Sequence, residues 1–227
     1  ALACLNLLPK TKNIFVLGNI FFKDGVCVFS LKKRDILLYR GLYSSIIFQD
    51  PFSSLNPVYT CGYQLSEALL KKRPYLKKNK IRELCLSFFK SVDFINPLKV
   101  FRSFPHQLSG GQLQRVLIAF SLALESKLII ADEITTALDP YTKNQILKLL
   151  LKLSKQKKIS LLIISHDLSI IKNYSNKIII LKSGSVIESG LTKYVLNNPK
   201  TLFTKSLLVC KPLISEKRFF LPFIKNK

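Results

Sequence analysis

Apolar residues fall in two rhythms along this chain. Ser45–Phe48, Lys127–Ala131 and Ile159–Ser165 are short, nearly unbroken runs rich in Ile. They are too brief for helices and suit strands covered on both faces of a parallel sheet. Between them the spacing changes to three and four. In Asp139–Lys155 a single helical face holds Ile146, Leu149, Leu150 and Leu153, and lysines take the other. Cys61–Lys72 and Lys77–Val92 also read as helices, separated by the helix breaker Pro74. Leu113–Leu124 reads as an apolar helix opened by a loop over Phe104–Gln112.

Ahead of these elements, Asn13–Val28 alternates around Gly18 and Gly25, which predicts a hairpin-like strand pair. After them come a short helix from Asp167 and two strands, Asn176–Leu181 and Ser185–Glu188, joined by a turn at Lys182-Ser183-Gly184. The chain ends in a helical extension and a basic, aromatic tail. Strand–helix alternation predicts an α/β fold with a mostly parallel sheet.

Composition narrows the function classes. With 48% hydrophobic residues in 227, the chain can build a packed core, and intrinsic disorder is excluded. The 36 Lys and Arg against 13 Asp and Glu leave +23. These cations are mostly Lys and are spread along the chain, as on solvated faces, whereas nucleic-acid readers cluster Arg. Five Cys, an odd number without a C-x-x-C pair, speak against a disulfide scaffold or a Cys-ligated metal and suit a reducing cytoplasm. Every apolar run is far shorter than the roughly 18 residues a membrane span needs, so any spanning falls to another chain. The chain starts at Ala1 and contains no Met, and Ala1–Leu8 reads as the tail of a helix, so a fragment is expected.

Four segments carry chemistry. Leu108-Ser109-Gly110-Gly111-Gln112 stands at a helix mouth, where free N–H groups, the positive dipole end and a close-approaching glycine backbone suit phosphate oxygens. The plainer reading is a Gly-Gly turn capping a helix. Leu128–Glu133 is an apolar strand ending in two acids, at the sheet edge where ligands of open α/β folds bind. There Asp132 suits Mg²⁺, directly or through water, and Glu133 suits orienting or deprotonating an attacking water; two solvated acids is the alternative. Ile163–Asp167 delivers His166 to a strand end, as a phosphate hydrogen-bonding group or a structural imidazole. Gln49, after the first buried run, can reach both the metal and the lytic water, or is a polar loop entry.

Order and spacing join these segments: 60 residues from Gln49 to Ser109, 23 to Asp132 and 34 to His166. In this the chain resembles the nucleotide-binding subunit of an ATP-binding cassette transporter. Gln49 matches the Q-loop, Leu108–Gln112 the signature, Leu128–Glu133 the Walker B strand with its catalytic Glu, Thr136–Asp139 the D-loop and His166 the switch histidine. Phe48–Pro57, Phe104–Val116, Ala131–Asp139 and Asn197–Leu208 are similar to oligopeptide and dipeptide importer ATPases and to a fused, double-cassette peptide or microcin uptake type.

The resemblance implies a P-loop NTPase-like cassette over residues 1–194, with an inserted helical subdomain at about 58–124 and a C-terminal extension at 195–227. It implies ATP and Mg²⁺ as cofactors, with Asp132 and Gln49 on the metal and Glu133, His166 and Gln49 catalytic. Ser109, Gly110, Gly111 and Gln112 would contact the partner's ATP, with Asp139 in the D-loop. Implied partners are a second cassette (separate or fused), two membrane permease subunits and an extracytoplasmic substrate-binding protein, with no specific nucleic acid. The implied place is cytoplasmic, peripheral on the inner face of the cytoplasmic membrane.

Two departures stand out. None of the eight glycines begins G-x-x-x-x-G-K-[ST], so the N-terminal strands and phosphate loop are expected to be missing, with Ala1–Pro9 matching the helix that leaves the loop, through truncation or gene decay. Ile134 replaces the family's usual Pro. The open alternatives are a degenerate, non-hydrolysing subunit and a soluble cassette ATPase acting on nucleic acid or ribosomes.

Overall fold

The computed structural model describes residues 1–8, 16–22, 24–136 and 138–209. Its elements, in chain order, are α1 (Lys33–Leu42), β1 (Ser44–Ile47), α2 (Cys61–Lys72), α3 (Lys78–Ser91), α4 (Pro97–Arg102), α5 (Gly110–Ala123), β2 (Leu128–Asp132), α6 (Pro140–Gln156), β3 (Ser160–Ile164), α7 (Leu168–Tyr174), β4 (Lys177–Lys182), β5 (Ser185–Leu191), α8 (Thr192–Asn197) and α9 (Leu202–Val209). The chain separates into two compact units, 1–164 and 165–227.

In the first unit the three short apolar runs form one parallel sheet, ordered β1-β2-β3. Ile47 pairs with Ala131, and Asp132 with Ile164. All three strands therefore end at one edge, and the residues after β1 and β2 emerge side by side. Ile129, Ile130 and Ala131 are fully buried, as a central strand requires. The sequence pattern predicted the same for β3, but here the structure differs. Among the described residues β3 pairs only with β2, its apolar residues are half-buried, and Leu162 is exposed. An apolar run tells how a strand would like to be covered, not whether a neighbour covers it.

Most of the core lies where α2, α3, α5 and α6 pack together and onto β1 and β2, around Leu65, Leu69, Ile81, Phe89, Leu113, Ile118 and Ile146. Burying each such side chain is worth about 1.5–3 kcal/mol. In α6 the face with Ile146, Leu149, Leu150 and Leu153 is buried while Lys148, Lys152 and Lys155 are exposed, which is where much of the positive charge goes. Thr60 caps α2 by accepting from Tyr63 N–H, and Asn96 caps α4 with Pro97 at its first position. The carbonyl of Leu124, at the end of α5, accepts from Lys72, and Glu125 pairs with Lys72 and Arg73.

Several expectations shift. Asn13–Phe15 and Lys23 lie outside the described residues, and of the predicted N-terminal hairpin the described residues keep one antiparallel bridge but no strand. Phe22 N–H donates to Val26 O, Val28 N–H donates to Ile20 O, and Phe21 bridges Cys27. Leu2–Leu5 is a single 3₁₀ turn closed by Asn6 at φ 51°. Helices α1 and α4 carried no strong period: α1 is kinked at Arg40–Gly41, and α4 spans six residues.

In the second unit β4 and β5 form an antiparallel hairpin with Lys182 opposite Ser185. Its two-residue turn needs positive φ twice, met by Ser183 at 48° and Gly184 at 80°. Glu188 of β5 is buried and holds the start of α9. It accepts from the N–H groups of Lys200 and Thr201 and the hydroxyls of Thr201 and Thr204. These bonds, the Lys200 amide first, hold its carboxyl at about 2. Residues 210–227, including Cys210 and most of the expected basic tail, lie outside the described residues.

Candidate functional site

Parallel register brings two of the expected residues together. Gln49 leaves β1 two residues past Ile47, and Asp132 is the last residue of β2. Both line one cleft of ≈ 470 Å³, with Leu2, Phe48, Asp50, Ser53 and Ser54. The size is that of a small-ligand site. The Asp50 carboxylate is committed to its own loop, accepting from Phe52 N–H at 2.9 Å and Ser53 N–H at 3.3 Å, while its carbonyl accepts from the Ser53 and Ser54 hydroxyls. This Asx turn gives the loop after β1 a defined shape and leaves the Gln49 amide and the Asp132 carboxylate as the oxygen donors of the sheet edge.

That donor set fits Mg²⁺, a hard cation that takes one or two protein oxygens and completes its shell with phosphate oxygens and water. Among the described residues no group of three or more His, Cys, Asp and Glu forms a cage. An ion at this edge would need its remaining ligands from substrate and solvent.

Glu133 follows at φ 48°, a left-handed conformation uncommon outside glycine. Its N–H donates to Ile164 O at 3.0 Å, extending the β2–β3 ladder one residue past the strand. The Thr136 hydroxyl donates to the Glu133 carbonyl at 2.9 Å and lies 3.3 Å from its carboxylate. The turn that re-aims Glu133 is thus fastened from both sides. Ile134, standing where Pro was expected, is 3% exposed and fills the core beneath the turn. Ala137 lies outside the described residues.

The helix mouth is built differently from the expected loop. Helix α5 begins at Gly110, so both glycines lie inside its first turn and Ser109 is the N-cap. Gln112 N–H donates to the Ser109 hydroxyl at 3.4 Å, and Ser109 N–H donates to the Gln112 side chain at 3.0 Å, a reciprocal capping box. Ser109 and Gln112 are exposed. The mouth is therefore exposed at Ser109 and Gln112 and carries the positive end of the helix dipole.

The spacing of apolar residues gave no hint of why Gly111 must be glycine. A methyl group there would sit 2.6 Å from Thr142 Cγ2 of α6. Asp139 caps α6, accepting from Tyr141 N–H at 3.1 Å and Thr142 N–H at 3.0 Å. Hydrogen bonds from Thr142 and Tyr141 hold its carboxyl below the usual range. Helices α5 and α6 thus open side by side, each with its cap. His166 is exposed, two residues past β3 and at the start of the second unit, where Asp167 caps α7 by accepting from Ser169 N–H. Among the described helices none is long and apolar enough to cross a membrane.

Comparison with known proteins follows the same lines. The family profile described as ABC transporter matches residues 34–136. The dipeptide transport ATP-binding protein DppD of Haemophilus influenzae is 41% identical over 193 residues, which is 85% of this chain and 57% of DppD. The metal-staphylopine import system ATP-binding protein CntD of Staphylococcus aureus is 34% identical over 201 residues, 88% of this chain and 73% of CntD. The chain thus spans about half to three quarters of these two relatives. Among solved structures, the dimeric, post-hydrolysis ATP-binding cassette MJ0796 bound to ADP and Pi superposes with a TM-score of 0.68 at 28% identity, covering 78% of this chain and 74% of that one.

Proposed function

The chain belongs to the ATP-binding cassette transporter family, and from that membership we propose that it serves as the ATP-binding and ATP-hydrolysing subunit of a peptide uptake system. The observation that carries the proposal is the convergence of Gln49 and Asp132 on one cleft at the sheet edge that also delivers Glu133. In this reading residues 1–194 are the cassette, with its helical subdomain at about 58–124, and 195–227 are an extension. Two cassettes meet head to tail, and the exposed mouth at Ser109–Gln112 closes over the nucleotide of the partner.

Asp132 and Gln49 would hold Mg²⁺, whose charge neutralises phosphate oxygens. Glu133 takes a proton from the attacking water, its carboxylate steadied by the Thr136 hydroxyl. Gly110 and Gly111 admit the phosphate to the helix dipole, Ser109 adds a hydroxyl, and His166 hydrogen-bonds a terminal phosphate oxygen. Exposed Phe48, Phe52, Val58, Tyr59 and Tyr63 lie on and beside the loop that carries Gln49 and suit an apolar element of a permease subunit. The expected place is the inner face of the cytoplasmic membrane. Peptide as cargo is supported by DppD, while CntD is named for metal-staphylopine import; a separate substrate-binding protein would choose between them.

Glu133→Gln in the complex with its permease partners tests the reading. Turnover should fall by about a hundredfold or more, the low end for a lost general base, while ATP still drives cassette closure. Unchanged turnover refutes it. A second reading is a degenerate, non-hydrolysing subunit that lends only its signature. Then Ser109→Arg abolishes turnover by the complex and Glu133→Gln does not.

A further inference from the structure

Arg115 lies four residues into α5 from Gly111, on the same helical face, and is mostly buried. One guanidinium nitrogen donates to Val92 O at 3.1 Å, and the other donates to Gln145 Oε1 at 3.1 Å. Val92 ends α3, so the first bond satisfies an orphan carbonyl at the negative end of that helix. Beside it, Asp93 sits at φ 61°, in the position where glycine is the usual choice. Its carboxylate lies 3.6 Å from the same guanidinium, so the chain accepts a strained backbone and gains an anion facing Arg115.

The second bond reaches one turn beyond Thr142 in α6, just as Arg115 is one turn beyond Gly111 in α5. Two contacts therefore set the register of α5 on α6: glycine against Thr142 at the mouths, and Arg115 against Gln145 behind them. The start of α6 is capped by Asp139, seven residues past Asp132 in the chain. A lysine cannot copy the link, because only a planar fork donates in two directions at fixed separation.

We propose that Arg115 is a positioning residue, locking α5 to α6 so that the signature mouth keeps a fixed place relative to the strand end that bears Asp132 and Glu133. This rests on the reading above, in which those two groups serve different nucleotides. The link then passes the state of one nucleotide site to the other within a single chain.

Two variants test it, Arg115→Lys and Gln145→Met, the second leaving the Arg115 contacts to Val92 and Asp93 intact. Hydrogen exchange on this chain without nucleotide should speed up at the amides of Gly111–Gln114 and Thr142–Gln145, with β1 and β2 unchanged. In the assembled transporter KM for ATP should rise by about threefold to thirtyfold, the range for side chains that couple two elements, with kcat within twofold. Unchanged exchange at both helix mouths, or faster exchange spread evenly through the sheet, overturns the proposal. Should the unaltered transporter show no turnover, the functional reading fails, and exchange alone still decides the role of Arg115.

Discussion

Gly111→Ala is the sharpest perturbation the helix mouth offers. Its new methyl group would stand 2.6 Å from Thr142 Cγ2, whereas carbon atoms in contact sit about 3.5–4.0 Å apart, so the helices must part by roughly 1 Å. Thr142 yields poorly, being β-branched in a helix, with its N–H held by Asp139. Overpacking of this kind costs about 1–3 kcal/mol, and alanine recovers about 0.5–1 kcal/mol of that through its better helix preference. A net loss of about 1–2 kcal/mol should appear in urea unfolding as a lower midpoint with unchanged slope.

Thr142→Ser removes the obstructing methyl group and keeps the hydroxyl that bonds Asp139, so the double variant should regain most of the loss. Coupling of about 1 kcal/mol or more in the double-mutant cycle is expected for residues in contact. A Gly111→Ala protein as stable as the parent, or one that Thr142→Ser leaves unrescued, would refute the packing argument.

Two further outcomes are expected. Glu188 has a folded-state carboxyl at about 2, below the roughly 4.3 of a free glutamate, so the stability it lends is full above that value and drains away as pH falls towards 2. Thermal melts of the second unit should therefore fall between pH 5 and 2 in the parent, with a shallower fall in Glu188→Gln; parallel curves would contradict the assignment. Burial pushes the Cys61 thiol up to about 11 and raises that of Cys85. Both should resist alkylation at pH 8 until the chain unfolds, which mass spectrometry of labelled peptides reads directly; rapid labelling of either in folded protein would contradict the packing of α2 and α3.

The linear sequence determined the strands, the longer helices and the identity of the chemical groups, because these depend on neighbours within a few residues. Ile129–Ala131 reads as a buried strand and is one, α2 was legible to its end residues, and Ser109, Asp132 and Glu133 announced themselves by composition and position. Tertiary structure alone decided which of these groups meet. That Gln49 and Asp132 share a cleft follows from the parallel register of β1 on β2, a contact across some eighty positions that no local period encodes. The glycine at 111 reads as a phosphate feature in the sequence, and the structure gives it a packing reason, since its neighbour Thr142 lies in another helix. Arg115 showed nothing by spacing, because its role lies in bonds to α3 and α6 that exist only once three helices have packed.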